Sequence, residues 1–178
     1  MDAVLDSESY VKFAIGRRRS GKTEIAKKLI RRLSKDDRLF IFCGCRIHIE
    51  NYGPFFPSNV FIKDINDFEM CLRGISENNV SIFIDDVFNC KSKIIDLLPF
   101  YKFKSVYVAG SPITNDLSLN LVKKFYNLYK DDVSFFEIPG GLLNETEEVA
   151  YNIIMNWLNV FLKIKIGYTK FELIMDSF

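Results

Sequence analysis

The chain is poor in the residues that build metal centres. It has one histidine, His48, and four cysteines, Cys43, Cys45, Cys71 and Cys90, with no pair of C-x-x-C clusters. That spacing argues against a structural zinc site and leaves reduced cysteines of a cytosolic protein as the expectation. Charge imbalance is also missing: 24 basic against 23 acidic residues give a net charge of +1. Bulk electrostatics therefore do not mark a nucleic-acid binder, although a local basic face remains compatible with that charge. No uninterrupted apolar run reaches about 18 residues, so no membrane span is expected. The opening Met1-Asp2-Ala3-Val4-Leu5-Asp6 is acidic and too short in apolar residues for a signal peptide. Repeats, low-complexity tracts and Gly/Ser linkers are lacking too. With 178 residues, 48% of them hydrophobic, positions 1–178 read as one domain with a full core.

What is present is an alternation of apolar runs and helical patterns, which predicts an α/β fold with a mainly parallel central sheet. The expected strands are Val11–Ile15, Arg38–Cys43, Val60–Ile62, Val80–Asp85, Ser105–Ala109 and Val133–Ile138. Ile82-Phe83-Ile84 is apolar without alternation, as suits a strand covered on both faces. A helix after the first strand carries Ile25, Ala26, Leu29, Ile30 and Leu33 on one stripe, with Lys27, Lys28, Arg31, Arg32 and Lys35 mostly opposite. A second, over Asn66–Glu77, is expected to bury Phe68, Cys71, Leu72 and Ile75. A third, over Leu117–Lys130, places Leu121, Val122, Phe125, Leu128 and Tyr129 on one face. The last runs from Val149 through Ala150, Ile153, Ile154, Trp157, Leu158 and Phe161 to Leu162, with Asn144 and Glu147 as its cap and Gly167 beyond its basic end.

Gly16-Arg17-Arg18-Arg19-Ser20-Gly21-Lys22-Thr23 matches G-x-x-x-x-G-K-[ST] without departure. At average frequencies a chance match arises in about one chain of this length in a hundred or more. It also follows an expected strand and opens an amphipathic helix, the setting its chemistry requires. There the backbone N–H groups turn toward phosphates at the positive end of the helix. Residues 16–23 are thus the expected nucleotide-binding loop of a P-loop NTPase, a three-layer sandwich. Lys22 reaches the β and γ oxygens of ATP, and the Thr23 hydroxyl ligates Mg²⁺.

Ser81-Ile82-Phe83-Ile84-Asp85-Asp86 has the form of a Walker B strand. Asp85 is expected to hold the Mg²⁺ shell beside Thr23. Hydrolytic ATPases usually carry glutamate at the next position. Here Asp86 is either a catalytic base one methylene shorter or a residue that caps the following turn. Ser111, at the tip of the strand Ser105–Ala109, is either a polar group in touch with the γ-phosphate or a turn starter.

Together Gly16–Thr23, Cys43-Gly44-Cys45-Arg46, Ile84-Asp85-Asp86 and Gly110-Ser111-Pro112 resemble the corresponding motifs of viral genome-packaging P-loop ATPases. These are the terminase-like and large-DNA-virus type of the additional-strand class. The resemblance covers residues 10–115, and only the P-loop is highly specific. It implies an ATP- and Mg²⁺-dependent motor that moves double-stranded DNA into a capsid. It further implies a homo-oligomeric ring, a capsid or portal partner, and a place in the host cytoplasm or on the virion. The chain leaves no room for the nuclease domain of large terminases. Every arginine lies at or before Arg73. A trans-acting cation is therefore expected from Arg46, Arg73, Lys123 or Lys124, unless Arg17–Arg19 act in cis. Candidate phosphate contacts to DNA are Lys102, Lys104, Lys123 and Lys124, each read first as a solvated surface lysine. Two other readings fit the residues: a small nucleoside or nucleotide kinase, and an ATP-binding assembly or switch protein with little turnover.

Overall fold

The computed structural model describes residues 1–44, 47–50, 52–53, 56–73, 75, 78–90 and 92–162. Six strands form one sheet: β1 (Val11–Gly16), β2 (Arg38–Cys43), β3 (Val60–Asp64), β4 (Val80–Asp85), β5 (Ser105–Gly110) and β6 (Val133–Ile138). Their order is β3-β2-β4-β5-β1-β6. Every pairing between them is parallel. All strands therefore end on one edge of the sheet, where connecting loops meet.

The helices are α1 (Asp2–Asp6), α2 (Lys22–Arg32), α3 (Ile47–Glu50), α4 (Phe68–Leu72), α5 (Ser92–Leu97), α6 (Asn115–Tyr129) and α7 (Glu145–Trp157). Successive strand residues point to opposite faces, and two core clusters result. Val11, Phe13 and Ile15 of β1 pack with Phe68, Val122, Phe125, Tyr151 and Ile154 on the side of α4, α6 and α7. Ala14, Ile41, Phe83 and Ala109 pack with Val4, Ile25, Ala26 and Leu29 on the side of α1 and α2. Helices on both faces of a parallel sheet make the three-layer sandwich that the alternation of runs predicted.

Three helical expectations need correction. The stretch Asn66–Glu77 yields a 3-10 turn over Ile65–Asp67 and then only α4, because Arg73 leaves helical geometry at φ −59 and ψ 120. Gly74 follows it in the sequence, and glycine costs about 1 kcal/mol in a helix interior. In α6, Leu128 is 41% exposed, and in α7, Val149 is 50% exposed. Both lie at the edge of stripes whose centres, Val122 with Phe125 and Ala150 with Ile154, are fully buried. The last helix keeps its expected cap: Asn144 and Glu147 form a capping box, and α7 starts at Glu145. Gly167 lies outside the described residues.

Candidate functional site

The loop between β1 and α2 turns on Gly21, whose φ of 89 is the left-handed conformation that glycine adopts without strain. Arg19, at φ 60, takes the same region without that freedom. Lys22 folds its ammonium back into the loop, donating to the carbonyls of Gly16 at 3.1 Å and Arg17 at 2.5 Å, and to Ser20 Oγ at 3.1 Å. Burial pushes the Lys22 pKa down to about 8, against the opposing pull of Asp85 and Asp86. Burial disfavours the charged amine, so an anionic ligand beside it would favour the ammonium form.

Across the pocket, β4 ends in Asp85, 4% exposed. Thr23 Oγ1 donates to Asp85 Oδ2 at 3.3 Å, so the loop and the strand end meet. Tyr52 donates to the same Oδ2 at 2.7 Å. Burial, and then Asp85, push the Tyr52 phenol far above its ordinary pKa, which keeps it a donor. Asp86 adopts φ 61, in the left-handed region, and its Oδ2 accepts from Asn89 Nδ2 at 2.5 Å. Gly44 closes the floor: its N–H donates to the Asp85 carbonyl at 2.8 Å, and a Cβ there would stand 2.5 Å from the Asp86 carbonyl. Ser111 is buried beyond the end of β5. Arg18, Arg19, Gly21, Lys22, Thr23, Glu24, Gly44, Asp85, Asp86, Asn89, Ser111 and Ile113 line one open pocket of about 870 Å³.

The hydroxyl of Thr23 and the carboxylates of Asp85 and Asp86 are hard oxygen donors on one wall. They fit Mg²⁺, which binds through one or two carboxylates and completes its shell with water and phosphate. Among the described residues no group of three or more His, Cys, Asp and Glu is arranged to hold a metal by itself. Cys43, Cys71 and Cys90 form no disulfide.

The three arginines part company. Arg17 is turned away from the pocket: its guanidinium makes a two-point contact with Glu148, at 2.7 and 3.2 Å, and lies 4.7 Å over the Tyr151 ring. Arg18 lines the pocket while pairing with the buried Glu147. Its backbone is fixed to the β6–α7 connection by reciprocal hydrogen bonds with Leu142 at 3.0 and 2.8 Å. Gly141 makes that approach possible, since a Cβ there would fall 2.2 Å from the Arg18 carbonyl. The side chains of Arg17 and Arg18 thus both pair with α7, and Arg18 lines the pocket as well. Arg46 and Cys45 lie outside the described residues, and Arg73 caps α4.

The lysines expected to meet DNA are dispersed. Lys104 pairs with Asp37 at 2.7 Å and Lys124 with Asp96 at 2.6 Å. Lys123 stands 5.8 Å over the Trp157 ring. Lys102 and Lys104 precede β5, at the opposite edge of the sheet from the pocket. The contributions of Tyr52, Asn89 and Gly44 escape the sequence, where the first two sit in stretches without periodicity. Gly44 does fall within a segment that the packaging-ATPase resemblance points to.

The P-loop NTPase fold follows from this sheet and loop. β5 lies between β1, which leads into the P-loop, and β4, which ends in Asp85. No protein-family model matches the chain, and no curated protein does. Among solved structures, the chain is similar to the X-ray structure of the Legionella pneumophila ATPase DotB. The TM-score is 0.44 and the identity 12%, over 75% of this chain and 41% of that one. The chain thus spans less than half the length of that protein. Among the described residues, no helix is long and apolar enough to cross a membrane.

Proposed function

We propose that this chain is a Mg²⁺-dependent ATPase acting as a motor subunit that moves double-stranded DNA into a viral capsid. One observation carries the catalytic part: Lys22 and Thr23 of the P-loop face Asp85 and Asp86 in a single pocket. The motor part is supported by the arginine-bearing P-loop, the paired aspartates and Gly110-Ser111-Pro112, all of which resemble packaging ATPases.

Thr23 and Asp85 would hold Mg²⁺, which supplies neutralisation of charge on the β and γ phosphate oxygens. Lys22 exchanges its three loop acceptors for phosphate oxygens. The N–H groups at the start of α2 add to that cradle. Asp86 is placed to take the proton of an attacking water. Ser111, in the pocket lining, would register loss of the γ-phosphate. In a homo-oligomeric ring with a capsid or portal partner, that signal would reach DNA through phosphate contacts.

A second reading, an ATP-binding switch with little turnover, is favoured by the Asn89 bond that occupies the Asp86 carboxylate. Phosphate release, measured with and without linear double-stranded DNA, separates the two. The motor requires ATP hydrolysis that DNA stimulates. Tight binding without turnover establishes the switch, and phosphate transfer to a nucleoside establishes a kinase. Lys22→Ala should abolish hydrolysis with the circular dichroism spectrum unchanged. Asp86→Asn should keep ATP binding and lower turnover by about 10²–10⁴-fold, the usual contribution of a general base. Full activity in either variant would refute its assignment.

A further inference from the structure

The aspartate at the end of β4 has a partner that no sequence motif announces. Tyr52 comes from the connection between β2 and β3, and its ring is buried in the core cluster on the α2 side of the sheet. It is 8% exposed, so its hydroxyl has little access to water and must find an acceptor within the protein. That acceptor is Asp85 Oδ2, at 2.7 Å. The same oxygen receives the Thr23 hydroxyl at the longer distance of 3.3 Å.

The two donors differ in kind. Thr23 belongs to the nucleotide loop, and its oxygen is itself a ligand candidate, so its bond to Asp85 changes when the site fills. Tyr52 belongs to the β2–β3 connection and not to that loop, and a rigid ring in a packed core holds its hydroxyl in place. An aspartate at a strand end can rotate about two side-chain bonds. Fixing one of its oxygens fixes the plane of the carboxylate, and with it the direction in which the remaining lone pairs face. Partners of this sort commonly tune metal affinity by about 10–100-fold.

We infer that Tyr52 is a positioning residue that holds Asp85 in the orientation in which it and Thr23 receive the divalent cation of a nucleotide complex. The inference rests on the assignment of Thr23 and Asp85 to Mg²⁺ above. A bland alternative exists, in which Asp85 merely satisfies a buried phenol and the orientation has no consequence for metal.

Tyr52→Phe separates them, because it keeps the ring and removes only the hydroxyl. Mn²⁺ binding is read by electron paramagnetic resonance in the presence of a non-hydrolysable ATP analogue. Analogue binding is also measured in EDTA. The expected result is Mn²⁺ affinity lower by about 10–100-fold, with analogue affinity in EDTA unchanged. In an Asp85→Asn background, the same change should have no further effect on Mn²⁺. Equal Mn²⁺ affinity for Tyr52→Phe and the unaltered chain would overturn the inference. So would an equal loss of analogue affinity in EDTA, which would reveal damage to the fold rather than to the metal site. If the unaltered chain binds the analogue but takes up no Mn²⁺ with it, the assignment of Thr23 and Asp85 fails first. That outcome is distinct from a failure confined to Tyr52.

Discussion

Lys12 of β1 is 4% exposed, an uncommon place for an ammonium in a sheet. It donates to Ser105 Oγ at 3.0 Å and lies 4.9 Å over the Tyr107 ring. Burial alone pushes its pKa down to about 8 from 10.5. Because the folded value lies below the unfolded one, the unfolded chain binds more protons between these two pH values, and stability rises with pH across that window. Lys12→Met should therefore stabilise the protein by about 1–2 kcal/mol at pH 7, after the lost hydrogen bond and ring contact are discounted. Chemical denaturation should show that advantage shrinking from pH 8 toward 10.5, and a constant difference would contradict this account. At the same scale, Lys22, Thr23 and Asp85 were legible because residue type and spacing alone point to a phosphate and metal site. Arg17's turn toward α7 could not be read in the same way. Its partner Glu148 is 131 positions away in sequence, and only the fold brings the two together.

The strands could be located to within two residues, since a parallel strand covered on both faces is a continuous apolar run. Short helices were another matter. The helices α1, α3 and α5 span five, four and six residues, too few turns to display a 3.6-residue period. Yet α1 matters to α2: Asp2 pairs with Lys28 and Arg32, and Asp6 with Arg32, so part of the basic side opposite the apolar stripe is paired. The element contact with most bearing on the site is that of α7 with the P-loop. A double-mutant cycle on Arg17→Ala and Glu148→Ala should return a coupling of about 1 kcal/mol, given two-point geometry at side chains 31% and 38% exposed. Arg17 holds the Glu148 carboxyl below its ordinary 4.5. The coupling should accordingly be whole above that pH and fade as acid protonates the folded carboxylate. A coupling that persists at pH 2 would rule out the ion pair as its origin.

For the molecule as a whole, a ligand that binds only the folded state stabilises it by mass action. At a concentration one hundred times Kd this amounts to about 2.7 kcal/mol. For a domain of this size the melting midpoint should rise by about 5–10 °C on adding ATP with Mg²⁺. The rise should be lost in Lys22→Ala, and a midpoint indifferent to ATP would argue against the nucleotide site itself. The sheet order has a separate bearing on how the protein is made. β1 pairs only with β5 and β6, its Val11 standing opposite Val106 and Val133. β2, by contrast, finds both neighbours in β3 and β4. Long-range pairing of this sort is slow, because loop closure precedes any reward in contacts. On the ribosome, β2, β3 and β4 can therefore associate while the strand that carries the P-loop still waits with both edges open. The nucleotide loop is synthesised before β2 and seated only once β5 has followed, so a chain halted before β5 has no strand to set beside β1.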